Sequence, residues 1–370
     1  MTVPLNDTRR RFLQCKESLN NALLSVAASG RWLLGEETRI FSQRFAALCQ
    51  TNFCLPVANG TDALELTLRA LGCTNRQDEV ITCANAGGYT SIACHLIGVT
   101  PVYVDISPTN LLIDIQAVRE VLSPRTKVVV VTHLYGGVAD VPALRCLLDA
   151  EGYSEVAILE DCAQAHGAQL NGCSVGSLGT IATFSFYPTK NLGCMGDGGA
   201  IVTSDATLYE RVQQLHQYGW GAKYHNLLAG GRNSRIDELQ AAVLNRLLEH
   251  LESWNIRRRE ILETYRSAGS CRLSFIDYTD NNYVAHLAIA RTVHREAFRT
   301  FMNERGIATD IHYPILDCDQ KGWQKQPQRS GDLRVSRRVV REVVSLPLFP
   351  ELTDEEITII CAALRAWENE

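Results

Sequence analysis

The sequence predicts an α/β fold: a large unit with a mostly parallel sheet covered by helices on both faces, then a small C-terminal α+β unit. Three observations carry this expectation. Between residues 53 and 161, short runs of apolar and β-branched residues alternate with helical segments, the pattern of a buried parallel sheet. From Ile236 to Tyr265 the pattern is helical almost without a break, and so long a helix commonly bridges two units. Beyond it strand and helix patterns mix. The boundary is expected near residue 250, giving units 1–250 and 251–370; a chain of 370 residues exceeds the usual size of one core.

The elements follow in order. Residues 9–28 carry Phe12, Leu19, Leu23, Val26 and Ala27 at helical spacing, and Gly30 ends that helix. The triplet Arg9-Arg10-Arg11 reads as a solvated helix face rather than a phosphate contact. A loop containing Trp32 leads to a second helix, Glu36 to Leu48. Phe53 to Ala58 reads as a strand, Asn59-Gly60-Thr61-Asp62 as a tight polar turn, and Ala63 to Leu71 as a helix. Such a helix start offers unpaired N–H groups and a partial positive charge, so it is either an anion site or a start capped by Thr61 or Asp62.

Strands at Glu79–Thr82, Pro101–Asp105, Lys127–Thr132 and Val156–Asp161 alternate with helices at Thr90–Ile97, Ile115–Leu122 and Pro142–Ala150. A dinucleotide-binding domain is the obvious competitor, but no Gly-x-Gly-x-x-Gly follows a strand and opens a helix. A helix from Ser204 to Tyr218 leads into Gly219-Trp220-Gly221, and Arg257-Arg258-Arg259 on the long helix reads as solvated. The remainder holds a strand at Val284–Ala290, helices at Arg295–Arg305 and Asp354–Trp367, and the loop His312-Tyr313-Pro314.

Composition narrows the function. The net charge of −5 argues against a general nucleic-acid binder. The 13 cysteines show no zinc-ligand spacing, and free thiols in a reducing compartment are expected. Neither a signal-peptide pattern nor a long apolar run is present, so a cytoplasmic location is expected, with no metal, membrane or nucleic acid as partner.

The chemistry concentrates in two stretches. Ile181 to Phe186 runs as a strand into Pro188, which has no N–H for the ladder, then into Lys190 and a glycine-rich turn, Gly196-Asp197-Gly198-Gly199. Lys190 is thus placed at the mouth of a strand, where open α/β sheets bind ligands. Burial there lowers an amine's pKa and makes it a nucleophile towards carbonyls. Asp161 closes another strand. Its neighbour Glu160 points to the opposite face, so a two-carboxylate metal or glycosidase site is not expected. A lone carboxylate needs a cation or donors, and a protonated pyridine nitrogen is a suitable one. Gln164 can reach the same crevice.

The stretches Asn59-Gly60-Thr61-Asp62-Ala63-Leu64, Glu160-Asp161-Cys162-Ala163-Gln164-Ala165-His166-Gly167-Ala168 and Ser185-Phe186-Tyr187-Pro188-Thr189-Lys190-Asn191 resemble the DegT/DnrJ/EryC1/StrS family of pyridoxal-phosphate sugar aminotransferases. The likeness runs from Pro4 to Ser345-Leu346-Pro347-Leu348-Phe349-Pro350, nearly the whole chain. It implies a fold type I aminotransferase and a homodimer with shared active sites. By the same resemblance, Lys190 is the Schiff-base lysine and Asp161 the partner of the pyridinium nitrogen. Gln164 lies near the cofactor's phenolic oxygen. Gly60, Thr61 and Ser185 hold the phosphate, and Asn233 reaches the phosphate of the neighbouring subunit's cofactor.

One departure concerns the ring. Many members stack an aromatic on it three residues after a Pro, but Cys83-Ala84-Asn85-Ala86-Gly87-Gly88-Tyr89 lacks that Pro. Tyr89 is the candidate stacker, with plain packing as the alternative. His312 and Tyr313 resemble a loop near the substrate, while a later basic or histidine position of the family reads Leu316-Asp317-Cys318. Trp32 is either a further substrate contact or a structural aromatic.

The resemblance implies ping-pong transfer of an amino group from L-glutamate to a nucleotide-diphosphate keto-sugar, with pyridoxal phosphate passing through its pyridoxamine form. A dTDP-linked 3- or 4-keto-6-deoxyhexose is the expected class, feeding lipopolysaccharide O-antigen, another surface polysaccharide or a secondary metabolite. Two alternatives are a pyridoxamine-dependent sugar dehydratase and a non-catalytic regulator. The first has histidine where this chain has Lys190. Intact Lys190, Asp161 and Gln164 speak against the second.

Overall fold

The computed structural model of the chain describes residues 2–269, 271–276, 278 and 283–367. Its centre is an eight-stranded sheet. The strands are β1 (Phe53–Val57), β2 (Glu79–Cys83), β3 (Thr100–Val104), β4 (Thr126–Thr132), β5 (Ala157–Asp161), β6 (Ile181–Ser185), β7 (Gly199–Thr203) and the short edge β8 (Arg329–Ser330). They lie in the order β1-β7-β6-β5-β4-β2-β3-β8. All pairs from β6 to β8 are parallel, while β7 runs antiparallel to both its neighbours.

Alternation along the strands divides their side chains between two cores. Ile81, Cys83, Val129 and Val131 enter one cluster, whereas Val80, Val128, Val130 and Leu159 enter another. A strand buried on both faces reads as a continuous apolar run, which is why the sequence pattern was legible. A third core, with the stacked Phe41 and Phe45 against Phe184 and Phe186, lies beside β6.

The C-terminal part has a three-stranded antiparallel sheet, Ser274–Phe275, Ala288–Arg291 and Val343–Leu346. The helices Leu251–Ala268, Arg295–Glu304 and Asp354–Ala366 contribute to its core. A capping box of Thr353 and Glu356 opens the last helix. Val3 joins this core too, its N–H donating to Gly306 O at 2.8 Å.

The structure corrects several expectations. The first helix is two, Thr8–Gln14 and Lys16–Ser29, and a short 3-10 turn at Leu248–His250 breaks the long helix. The strand expected from Val284 begins only at Ala288, because the backbone N–H groups of Val284 and His286 donate to Gly136 O and Tyr135 O instead. Neither arginine triplet is wholly solvated. Arg11 is buried, lies over the Trp254 ring at 4.9 Å and pairs with Glu351. Arg258 is also buried and donates to Leu348 O and His286 O. Helical spacing turns one arginine of each triplet inward, where carbonyls and, for Arg11, a carboxylate accept its N–H groups. The helix after β1 begins at Gly60, and its cap is Asn59 rather than Thr61 or Asp62: Asn59 Oδ1 accepts the Asp62 N–H at 2.8 Å.

Candidate active site

A cleft of about 200 Å³ opens at the carboxyl ends of β5 and β6. Asn59, Gly60, Thr61, Leu64, Tyr89 and Asp161 line it together with Thr183, Ser185, Lys190 and Asp197. One cleft therefore holds Gly60, Thr61, Tyr89, Asp161, Ser185 and Lys190, drawn from four separate stretches of the sequence.

Local structure places each group. β5 ends at Asp161, whose Oδ1 accepts the Ala163 N–H at 3.2 Å. β6 ends at Ser185, and Pro188 then forces a turn in which Lys190 N–H donates to Tyr187 O at 2.9 Å. Arg11 holds that turn from outside, its Nη1 donating to Lys190 O at 3.1 Å and Pro188 O at 3.4 Å. Gly60 packs against Ser185 so closely that a Cβ would stand 2.7 Å from the Ser185 Cβ. With no side chain at 60, the first turn of the Gly60–Ala70 helix comes up against Ser185. Because Asn59 caps the helix through Asp62, the Gly60 and Thr61 N–H groups keep no partner among the described residues.

The electrostatics suit a reactive amine. Burial pushes Lys190 down to about 8, and the nearby Asp161 partly opposes that shift. Burial raises Asp161, while the Ala163 N–H, Lys190 and His133 pull it back. No hydrogen bond or ion pair engages the Lys190 amine among the described residues. Glu160 faces the other side of β5. It accepts from Gly176, Leu178 and Gly179 N–H and pairs with His133.

Gln164 is buried and is not among the residues that line the cleft. Its Oε1 accepts the Tyr135 N–H at 2.6 Å and its Nε2 donates to the Tyr313 hydroxyl at 3.0 Å. Tyr313 stands edge-on to Tyr89 with ring centroids 6.3 Å apart. His312 lies one step further out, its Nδ1 on Ser345 Oγ and its carbonyl accepting the Tyr135 hydroxyl. Trp32 is exposed, as is Asn233, and neither lines this chain's own cleft. Sequence reasoning assigned no role to Thr183, Asp197 or Tyr135, and it read Arg11 as solvated. Asp197 lay within the glycine-rich turn already singled out; Thr183 and Tyr135 carried no local signal.

These residues fit pyridoxal phosphate. An unpartnered amine and a buried carboxylate share one cleft with a helix start and Ser185, which supplies an attachment point, a partner for a ring nitrogen and a phosphate cup.

Comparison with known proteins agrees. The model of the DegT/DnrJ/EryC1/StrS aminotransferase family matches residues 14–365. A Streptomyces venezuelae protein named dTDP-3-amino-3,4,6-trideoxy-alpha-D-glucose transaminase is 39% identical over 99% of this chain and 96% of its own. An Aneurinibacillus thermoaerophilus protein named dTDP-3-amino-3,6-dideoxy-alpha-D-galactopyranose transaminase is 40% identical over 99% of both chains. The crystal structure of S. venezuelae DesV in complex with a ketimine intermediate superimposes with a TM-score of 0.94, at 38% identity, over 100% of this chain and 99% of that one. The chain therefore belongs to the DegT/DnrJ/EryC1/StrS aminotransferase family.

Proposed function

We propose that this protein is a pyridoxal-phosphate-dependent aminotransferase that moves an amino group from L-glutamate to a keto-sugar carried on a nucleotide diphosphate. The observation that carries the reading is the meeting of Lys190 and Asp161 in one cleft beside an open helix start. Both relatives above are named for dTDP-linked 3-amino sugars deoxygenated at C6. We accordingly favour a dTDP-linked 3-keto-6-deoxyhexose over its 4-keto isomer. The product would enter a surface polysaccharide or a secondary metabolite, in the cytoplasm. Among the described residues no helix is long and apolar enough to cross a membrane.

When bound, the cofactor supplies an electron sink for the pair left on the substrate's α-carbon. The chain's own residues do the rest. The Gly60 and Thr61 N–H groups, the Thr61 hydroxyl and Ser185 Oγ would hold the phosphate end. Asp161 would hold the proton on the ring nitrogen, and Tyr89 would pack against the ring. Lys190 Nζ, its pKa lowered by burial to about 8, would be the base that moves the proton held on the substrate's α-carbon. Gln164, locked by Tyr135, keeps one N–H for the phenolic oxygen.

We further place the division between the two units near residue 250, and we propose a homodimer. Trp32 and Tyr224 are exposed, as are Leu33, Leu34 and Leu227. Trp32 O accepts the Glu238 N–H, so the Trp32 loop and the Asn233 segment share one region of the surface. A second copy covering that region would bring Asn233 to the neighbour's phosphate; Trp32, His312 and Tyr313 would then border the sugar.

The test is direct. The cofactor-loaded protein should lose its aldehyde-form absorbance with L-glutamate and regain it with dTDP-3-keto-6-deoxyhexose, the amino product being identified by mass spectrometry and NMR. No spectral change with glutamate would contradict the proposal.

A further inference from the structure

Behind the cleft, Asn255 of the helix Leu251–Ala268 is buried and uses both ends of its amide. Its Oδ1 accepts the Asn191 Nδ2–H at 2.8 Å, and its Nδ2 donates to His166 O at 2.9 Å. Asn191 directly follows Lys190. His166 lies five residues beyond Asp161 and two beyond Gln164. Asn255 thus spans the two segments on which the acid and the amine are carried.

The surrounding contacts make this a registered joint. Asn191 Nδ2 also donates to Val284 O at 2.9 Å, and its Oδ1 takes the His286 Nδ1–H at 2.9 Å. Arg258, one helical turn from Asn255, donates to His286 O at 3.2 Å. On the other segment, Gly167 has a positive φ of 81°, and a Cβ there would lie 3.2 Å from Asn255 Nδ2. The loop after Asp161 therefore approaches the amide closely at its one residue without a side chain. From outside, Arg11 holds the Pro188 and Lys190 carbonyls. The Lys190 turn is gripped on both sides, and the His166 carbonyl hangs on Asn255.

We propose that Asn255 is a positioning residue: through Asn191 and His166 it fixes the separation between the Lys190 amine and the Asp161 carboxylate. Asn255 touches neither cofactor nor substrate in this arrangement; it acts through the two segments that do. The inference rests on the aminotransferase reading above and adds a residue outside the cleft. A displacement of about 1 Å between reacting groups costs on the order of a hundredfold in rate. A polar pair that merely fills the core would set stability and leave the reacting geometry alone.

The test uses the full-length cofactor-loaded protein with Asn255→Leu, which removes both bonds, and Asn255→Asp, which keeps the acceptor for Asn191 and loses the donor to His166. Three quantities are read: visible circular dichroism of the bound cofactor, the rate constant and half-saturation of the glutamate half-reaction, and the melting temperature without cofactor. The expected result is an altered dichroic band in both variants. The rate constant should fall about a hundredfold for Leu and about tenfold for Asp, with half-saturation nearly unchanged. If the Leu variant does not fold, the Asp variant decides alone. A wild-type dichroic band and rate constant in the folded variants, with or without a lower melting temperature, would overturn the proposal. Wild-type protein that binds the cofactor and converts with glutamate keeps that failure separate from failure of the aminotransferase reading.

Discussion

Glu160 and Asp161 are adjacent on β5 and face opposite ways: Asp161 lines the cleft, while Glu160 is buried against the 176–179 turn, where three backbone N–H groups and His133 satisfy it. Strand alternation gives two neighbouring acids two different jobs. Glu160→Ala would strand three N–H donors, each at about 1–3 kcal/mol, so a loss of about 4 kcal/mol in stability is expected. Asp161→Asn removes a carboxylate that burial disfavours, so the fold should be as stable as wild type or more so. Its turnover should nevertheless fall by about two to three orders of magnitude. Thermal unfolding and steady-state rates on both variants check the contrast.

Lys190 governs a pH dependence. Its amine is lowered from 10.5 to about 8 by burial in the cofactor-free protein. Only the neutral amine attacks an aldehyde. The rate at which cofactor-free protein takes up pyridoxal phosphate should therefore rise with pH and level off above about 8, well before an ordinary lysine would. Stopped-flow absorbance across pH 6 to about 10 reads it. A rate still climbing tenfold per unit above pH 9 would contradict the burial argument.

The phosphate cup is separable from the chemistry. Thr61→Ala removes one hydroxyl from a charged acceptor and should weaken cofactor affinity by about 1.5–3 kcal/mol, roughly ten- to a hundredfold. The rate constant at saturating cofactor should change little. Ser185→Ala should behave alike. Cofactor titration by fluorescence separates affinity from rate.

Asp317 offers a stability test away from Lys190. It is buried, its Oδ2 accepts the Ser91 hydroxyl at 3.3 Å, and burial raises it from 3.8 to about 8. The folded state thus holds a proton that the unfolded state releases between about pH 4 and 8, so this group's contribution to stability declines as pH rises through that window. Asp317→Asn lacks the decline. Relative to wild type, its melting temperature should gain steadily from pH 4 to about 8 and then hold level. Scanning calorimetry at several pH values measures the difference.

Much of this was legible in the sequence because parallel strands buried on both faces leave unbroken apolar runs, and because the cleft residues sit at the ends of such runs. Asp161 and Lys190 could be placed from strand ends and Pro188 alone, whereas Ser185 was marked only by the family resemblance. The cap at Asn59 was missed because Asn59, Thr61 and Asp62 are all good caps and only the backbone path chooses among them. Arg11 and Arg258 were misread since a triplet of arginines looks polar all round, whereas one residue in each turns towards carbonyls that come from distant segments. The Tyr135–Gln164–Tyr313 chain and the Asn255 joint rest on contacts between residues far apart in the chain, for which no local pattern exists.

The most direct test of the central claim is to load the protein with pyridoxal phosphate, reduce it with borohydride and locate the modified lysine by peptide mass spectrometry. The account predicts a single phosphopyridoxyl group on Lys190, and none when glutamate is added before reduction. Modification at another lysine, or no modification at all, would contradict it.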